Sequence, residues 1–200
     1  MGIITVDGNI GCGKTGVLNH LHKILKVPVD LEPVDNWQSY LNDMYINGNK
    51  IFNFQVRIWL DRCWIQNNNG NNNIIVERSP FFIKNTFIEL AKKRNLLSST
   101  EYNTLLDLHK QTDPMWKNNI YIYLRSNPES CLTRIQKRNR PSEDKIDLSY
   151  LKELHELHEK NIIELEKIVL QKNVHIINVE NKTISIIANE LFALITDKEK

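Results

Sequence analysis

Eight residues near the start of the chain, Gly8-Asn9-Ile10-Gly11-Cys12-Gly13-Lys14-Thr15, constrain the fold more than any other segment. They match the spacing GxxxxGK[ST]. The apolar run Ile3–Val6 precedes them, and Leu18, Leu21, Ile24 and Leu25 follow at helical spacing. Glycines at these places let the backbone turn tightly enough to aim successive N–H groups at one phosphate. The following helix adds its positive end. Lys14 can reach the β- and γ-phosphates, and the Thr15 hydroxyl can ligate Mg2+. The segment reads as a Walker A loop for a nucleoside triphosphate and is silent about the acceptor. Cys12 within it reads as a small filler.

Further apolar runs, Val27–Leu31, Ile74–Val76, Ile120–Leu124 and Val174–Val179, read as strands. Helical spacing joins Leu41, Met44 and Tyr45, and then Phe52, Phe54, Ile58, Trp59 and Ile65. Phe82–Leu90, Glu101–His109 and Pro128–Lys137 also read as helices. A long amphipathic helix starts from Asp147, a plausible N-cap, and a last one spans Ile184–Ile195. Strands alternating with helices predict an α/β fold of three layers, α/β/α, around a parallel sheet of about five strands. The 200 residues suit one such domain, 1–200. Asn67–Asn73, nearly all asparagine, reads as a surface loop without chemistry. Ligands of such sheets sit beyond the C-terminal strand ends. That rule puts Gly8–Thr15, Glu32, Glu77-Arg78 and Arg125 on one rim.

Composition narrows the partners. A formal net charge of +2 is too small to argue for nucleic acid or an anionic membrane. No apolar run approaches the roughly 18–20 residues that span a bilayer. The chain opens directly into a strand, which leaves no leader peptide, and three scattered cysteines without CxxC spacing suggest a reducing compartment. The cytoplasm is expected. His155 and His158 are three apart instead of four, so the local His-Glu pattern is not HExxH and reads as an ordinary helix face.

The remaining motifs come in a fixed order. Glu32-Pro33-Val34-Asp35-Asn36-Trp37 follows the second strand, Phe54-Gln55 lies on a helix, and Glu77-Arg78-Ser79 follows the third strand. Arg134, Arg138 and Arg140 then end a helix, and the run from Tyr150 to Glu159 forms the next. With the glycine-rich loop, these six motifs resemble the deoxynucleoside kinase family: deoxycytidine, deoxyguanosine and mitochondrial thymidine kinases and the broad-specificity insect enzyme. The likeness runs to about Lys160. It implies a P-loop kinase fold with an arginine-rich lid over 134–145, ATP as donor, Mg2+, and a small deoxynucleoside as acceptor. It also implies a homodimer formed through helices around Tyr40–Gln66 and Phe82–Leu106.

By this resemblance Glu32 positions the sugar 5′-hydroxyl and accepts its proton, a task suited to a rim carboxylate. Glu77 helps Thr15 hold Mg2+. Arg78 contacts the 5′-hydroxyl region and keeps Glu32 ionised. Arg134, Arg138 and Arg140 stabilise the transferring phosphoryl group with forked donors, the first two from one helical face. Gln55 pairs with the base edge, Phe87 stacks on the base, and Trp37, Phe54 and Ile58 wall the acceptor pocket. Tyr45 and Glu143 bind the sugar 3′-hydroxyl.

The sequence departs from the family in two places. Arg140-Pro-Ser-Glu-Asp stands where RxEE is usual. Arg62 falls where deoxycytidine and deoxyguanosine kinases carry an arginine, but Ile83 replaces its aspartate partner. Arg62 is then expected on Asp61 or in solvent, and thymidine and other pyrimidine deoxynucleosides are the favoured acceptors. Two other readings stay open. One is a thymidylate-type monophosphate kinase, although those carry Asp-Arg where this chain has Glu77-Arg78. The other is an ATP-binding module without an acceptor, although neither NKxD nor a strand ending in Asp is found.

Overall fold

The structure, a computed structural model, describes residues 3–45, 50–64, 74–116, 119–169 and 171–196, with Tyr45 and Gln171 described by backbone alone. The asparagine run 67–73, Ile65 and the Tyr45 side chain therefore lie outside the described residues.

Five strands, β1 (Ile4–Gly8), β2 (Val29–Asp30), β3 (Ile75–Glu77), β4 (Ile120–Arg125) and β5 (Val174–Asn178), form one sheet in the order β2-β3-β1-β4-β5. All its described pairings are parallel, with Ile4 opposite Ile75 on one side and Ile120 on the other. β4 shows why such apolar runs are legible. Ile120, Ile122 and Leu124 enter a core with Val6, Val17, Leu18 and Leu191, while Tyr121 and Tyr123 enter a second with Phe82, Ile162 and Leu165. Burial on both faces removes the polar alternation of a half-exposed strand.

The helices are α1 (Lys14–His20), α2 (Gln38–Tyr45), α3 (Ile51–Arg62), α4 (Pro80–Phe82), α5 (Glu89–Lys93), α6 (Ser99–Thr112), α7 (Pro128–Arg138), α8 (Leu148–Ile168) and α9 (Ile184–Thr196). α1 packs on α9, and α8 on α7. A wide π turn, Leu21–Leu25, continues α1, and another, Ile83–Ile88, links α4 to α5. Asp147 caps α8 as expected, its carboxylate accepting from the Tyr150 N–H at 2.7 Å. The helix expected from Phe82 begins earlier, because Ser79 accepts from the Phe82 N–H at 3.2 Å and Pro80 occupies the first turn. β2 is shorter than Val27–Leu31. It is an edge strand hydrogen-bonded to β3 alone, and its ladder ends at Asp30 opposite Val76. Among the described residues no helix is long and apolar enough to cross a membrane.

His158 of α8 is fully buried against the rings of Phe82 and Tyr123, at centroid distances of 5.4 and 5.7 Å, with Nδ1 2.7 Å from the Leu154 carbonyl. Burial, aided by the positive charge of Arg78, pushes its pKa down to about 3. The folded state thus refuses a proton that the unfolded chain binds below pH 6.5, so this residue's contribution to stability falls as pH falls. Urea unfolding of wild type and His158→Gln should show it. Between pH 5.5 and 4.5 the stability of wild type relative to the variant should drop by about 1.4 kcal/mol per pH unit. Parallel stability curves would show that the imidazole is protonated in the fold.

Candidate active site

The loop from Gly8 to Thr15 leaves β1 at the sheet's centre and runs directly into α1. Gly11, at φ +79°, sits where an added Cβ would lie 2.5 Å from the Cys131 carbonyl oxygen, so the loop passes against α7 with no room for a side chain. Asn9 is buried and ties the loop to α8, its Nδ2 donating to the Leu151 carbonyl at 2.9 Å. Cys12 is also buried and fills the space beside Gly8, as its reading as a filler supposed. The Lys14 ammonium donates to the carbonyls of Gly8 and Asn9 at 3.1 and 3.0 Å.

Beside this loop lies a cavity of about 380 Å³, within the range of about 300–1,000 Å³ usual for small-molecule sites. Ile10, Gly11, Gly13, Lys14 and Thr15 line its loop side, and Glu32, Glu77 and Arg78 its rim. Trp37, Phe54, Gln55, Ile58, Ile83 and Phe87 form the far wall, with Arg138, Arg140 and Glu143 at the lid. Residues scattered from 10 to 143 in sequence thus meet around one space. The buried Gly8, Asn9 and Cys12 shape the loop from behind.

Two carboxyls organise the rim. Glu77 is buried; it accepts from the Thr15 hydroxyl at 2.7 Å and from the Glu32 backbone N–H at 3.2 Å. Glu32 accepts from Arg78 Nε at 2.7 Å, and Arg78 Nη1 donates to the Gly8 carbonyl at 3.3 Å. One guanidinium therefore joins the acid to the phosphate loop. Arg78 adopts φ +69°, uncommon for a residue with a side chain, and its guanidinium carbon lies 4.5 Å from the centroid of Phe87. Burial opposes ionisation of Glu32, but Arg78, Lys14 and Arg62 together hold its pKa below the ordinary value. Glu77 goes the other way, raised by burial and by the charge of Glu32. Asp7, inside the sheet, is pushed up to about 6 by burial, although the Ser79 N–H and Arg78 pull against it.

In the far wall Trp37 meets Phe54 edge to face at 5.6 Å, and its Nε1 donates to Asp61 at 2.7 Å. The Gln55 side chain is buried, yet its Oε1 has no hydrogen bond among the described residues. A buried carbonyl oxygen in a cavity wall calls for a donor from the cavity's occupant.

Two residues fall elsewhere than expected. Arg62 does not line the cavity, and its partner is neither Asp61 nor solvent. Asp61 is already held by Arg57 at 2.7 and 2.8 Å and by Trp37, whereas Arg62 is buried against Asp30, with Nη1 3.1 Å from Oδ1. Arg134 also stays outside the cavity. It donates to the Ser126 hydroxyl at 2.8 Å, which in turn donates to Glu180, so its guanidinium is held by this pair instead of reaching the cavity. Arg138 and Arg140 do reach the cavity, where both hold Glu143, at 2.6 and 3.5 Å. Arg125 ends β4 on the rim but is turned to Glu159 of α8. Arg94 and Tyr150 line the cavity without having been singled out in the sequence. The position of Tyr150 in the first turn after the Asp147 cap was the available signal.

A glycine-rich anion loop, a rim of acids and a hooded pocket on a five-stranded parallel sheet define a P-loop phosphotransferase. The comparisons narrow the class. The sequence model of deoxynucleoside kinases matches residues 4–199, and the chain belongs to that family, whose members phosphorylate deoxynucleosides with ATP as donor. A deoxyguanosine kinase of Dictyostelium discoideum is 30% identical over 203 aligned positions, covering 94% of this chain and 68% of that protein. The mitochondrial thymidine kinase 2 of Homo sapiens is 28% identical, covering 80% and 64% respectively. The solved structure of deoxyadenosine kinase from M. mycoides with bound dCTP shares the fold at a TM-score of 0.81 and 24% identity, covering 96% of this chain and 99% of that one.

The loop geometry is testable without a ligand. Gly11 and Gly13 both have positive φ, but an added Cβ meets backbone only at Gly11, with nothing within 4 Å at Gly13. Gly11→Ala should therefore lower the melting temperature of the ligand-free protein more than Gly13→Ala, by several degrees. Equal losses in thermal unfolding would mean that Gly11 serves only its dihedral angle.

Proposed function

We propose that this chain transfers the γ-phosphoryl group of ATP directly to the 5′-hydroxyl of a deoxynucleoside, with thymidine and other pyrimidine deoxynucleosides preferred, to supply 5′-monophosphates in nucleotide salvage. The observation that carries this reading is the Glu32 carboxylate, held ionised on the rim by the same arginine that touches the phosphate loop. A sugar hydroxyl is a poor nucleophile, and a positioned carboxylate both orients it and accepts its proton as the bond to phosphorus forms. Lys14 and the loop N–H groups bind the phosphates, so charge leaving toward the ADP oxygens meets fixed donors. Arg138 and Arg140, on Glu143 beside the cavity, are close enough to exchange that carboxylate for phosphoryl oxygens as the lid closes.

The pairing of the Thr15 hydroxyl with a buried carboxylate suits Mg2+, which takes few protein ligands and keeps water and phosphate for the rest. Thr15 and Glu77 would hold the ion, which when bound offsets charge on the β- and γ-phosphates. At the base end, Gln55 offers its unpartnered oxygen and Ile58 and Ile83 an apolar wall. With Arg62 withdrawn, this wall accommodates a 5-methyl group better than a charged one would, which favours thymidine. Leu60 and Leu96, each about half exposed, lie in the two segments that the resemblance implies for a homodimer.

Steady-state assays with ATP should show turnover of thymidine and little or none of thymidine monophosphate. The reverse preference would make the chain a monophosphate kinase. Glu32→Gln should lower kcat by about 10²–10⁴-fold, the usual worth of a positioned proton acceptor, with KM for the nucleoside changed only a few-fold. Undiminished kcat in that variant would remove Glu32 from the chemistry.

A further inference from the structure

We infer that Arg62 is a positioning residue for the phosphoryl transfer, clamping together the strand ends that carry Glu32 and Glu77; the inference rests on the kinase reading above. Its guanidinium makes four hydrogen bonds. Nη1 donates to Asp30 Oδ1 at 3.1 Å and to the Leu31 carbonyl at 3.3 Å. Nη2 donates to the Asp30 carbonyl at 3.3 Å and to the Glu77 carbonyl at 2.9 Å. Two of these acceptors belong to Glu77 itself and to the residue before Glu32. The side chain is only 2% exposed, and its bond to the Glu77 carbonyl is buried, where charge-assisted hydrogen bonds are strongest.

The strand ends need such a clamp. β2 is an edge strand whose ladder to β3 stops at Asp30 opposite Val76, two residues short of Glu32 and one short of Glu77. Beyond the ladder, Glu32 donates its N–H to Glu77 Oε2, Arg78 holds the Glu32 carboxylate, and Arg62 bridges the Leu31 and Glu77 carbonyls. Two neighbouring buried carboxyls repel and would splay the strand ends apart. A planar guanidinium can hold carbonyls on both strands at once; an ammonium lacks that fork. Catalytic geometry is sensitive at this scale, since a shift of about 1 Å at a reacting group can cost about 10²-fold in rate.

This assignment differs measurably from a base-reading role for the same arginine. The experiment is steady-state kinetics of Arg62→Met, Arg62→Lys and Asp30→Asn with each of the four deoxynucleosides, together with KM for ATP and thermal unfolding. Arg62→Met should lose about 10–100-fold in kcat by the same factor for every deoxynucleoside, leaving their kcat/KM ranking and KM for ATP unchanged. Arg62→Lys should recover part of that loss. Asp30→Asn, which keeps the arginine and carries the test if the methionine variant does not fold, should lose about three- to tenfold in kcat with the same uniformity. A changed ranking among the nucleosides would overturn the inference in favour of a base contact. Lower melting temperature with full kcat in the folded variants would overturn it in favour of a purely structural role. Wild-type protein that phosphorylates none of the four would overturn the kinase reading, and the inference with it.

Discussion

The ion pair between Arg78 and Glu32 is the contact on which the rest of the site depends. Arg78 is 6% exposed at the side chain and Glu32 15%, so neither charge is hydrated well enough to stand alone. Breaking such a pair from one side leaves an uncompensated buried charge, which costs about 3–5 kcal/mol in comparable cases. The pair also explains the backbone. Arg78 directly follows β3, and its left-handed conformation brings Nε to Glu32 after β2 and Nη1 to Gly8 at the end of β1. Three adjacent strand ends are thus locked by one side chain. Strain of about 1–3 kcal/mol at a non-glycine residue with positive φ persists only where its surroundings over-determine it, and here two hydrogen bonds and the ring of Phe87 do so.

The cations around the loop are already matched before any substrate arrives. Arg62 is held by Asp30 and Arg78 by Glu32, and Lys14 stands with the buried Asp7 and Glu77 close by. The balance has a chemical consequence. A triphosphate brings several negative charges into a region with no net cation to spare, so further positive charge must come from outside this set. Arg138 and Arg140 stand at the cavity's lid side, and on the reading proposed above a divalent cation at Thr15 and Glu77 would add to them.

Much of this was legible in the chain because it depends on local patterns. The loop, the strands buried on both faces and the Asp147 cap follow from spacing and residue type, and the rim follows from the rule about strand ends. What was not legible is the choice of partner by long side chains. Arg62 and Arg134 carry several rotatable bonds, and their partners, Asp30 and Ser126, are fixed by which elements pack together, not by distance in sequence. Asp61, next in sequence to Arg62, was the natural local guess, but Arg57 lies one helical turn away and Trp37 donates from across the fold, so both of its oxygens are taken. The π turn at Ile83–Ile88 was equally hidden. Its residues look helical in sequence, and Ile83 and Phe87, four apart, both reach the cavity wall, as they would from one face of an α-helix.

The base end of the cavity shows how breadth and selectivity coexist in one wall. A buried acceptor without a partner costs about 1–3 kcal/mol, so the Gln55 oxygen penalises any occupant that presents no N–H. An amide also carries donors beside its acceptor, so one glutamine satisfies the edge of more than one base. On the reading proposed above, hydrogen bonding at this position would select for a nucleobase without choosing which one. The choice falls to shape, where discrimination is weaker: about 1–3 kcal/mol per methylene-sized group in an apolar pocket. Ile58, Ile83 and Phe54 supply that shape here.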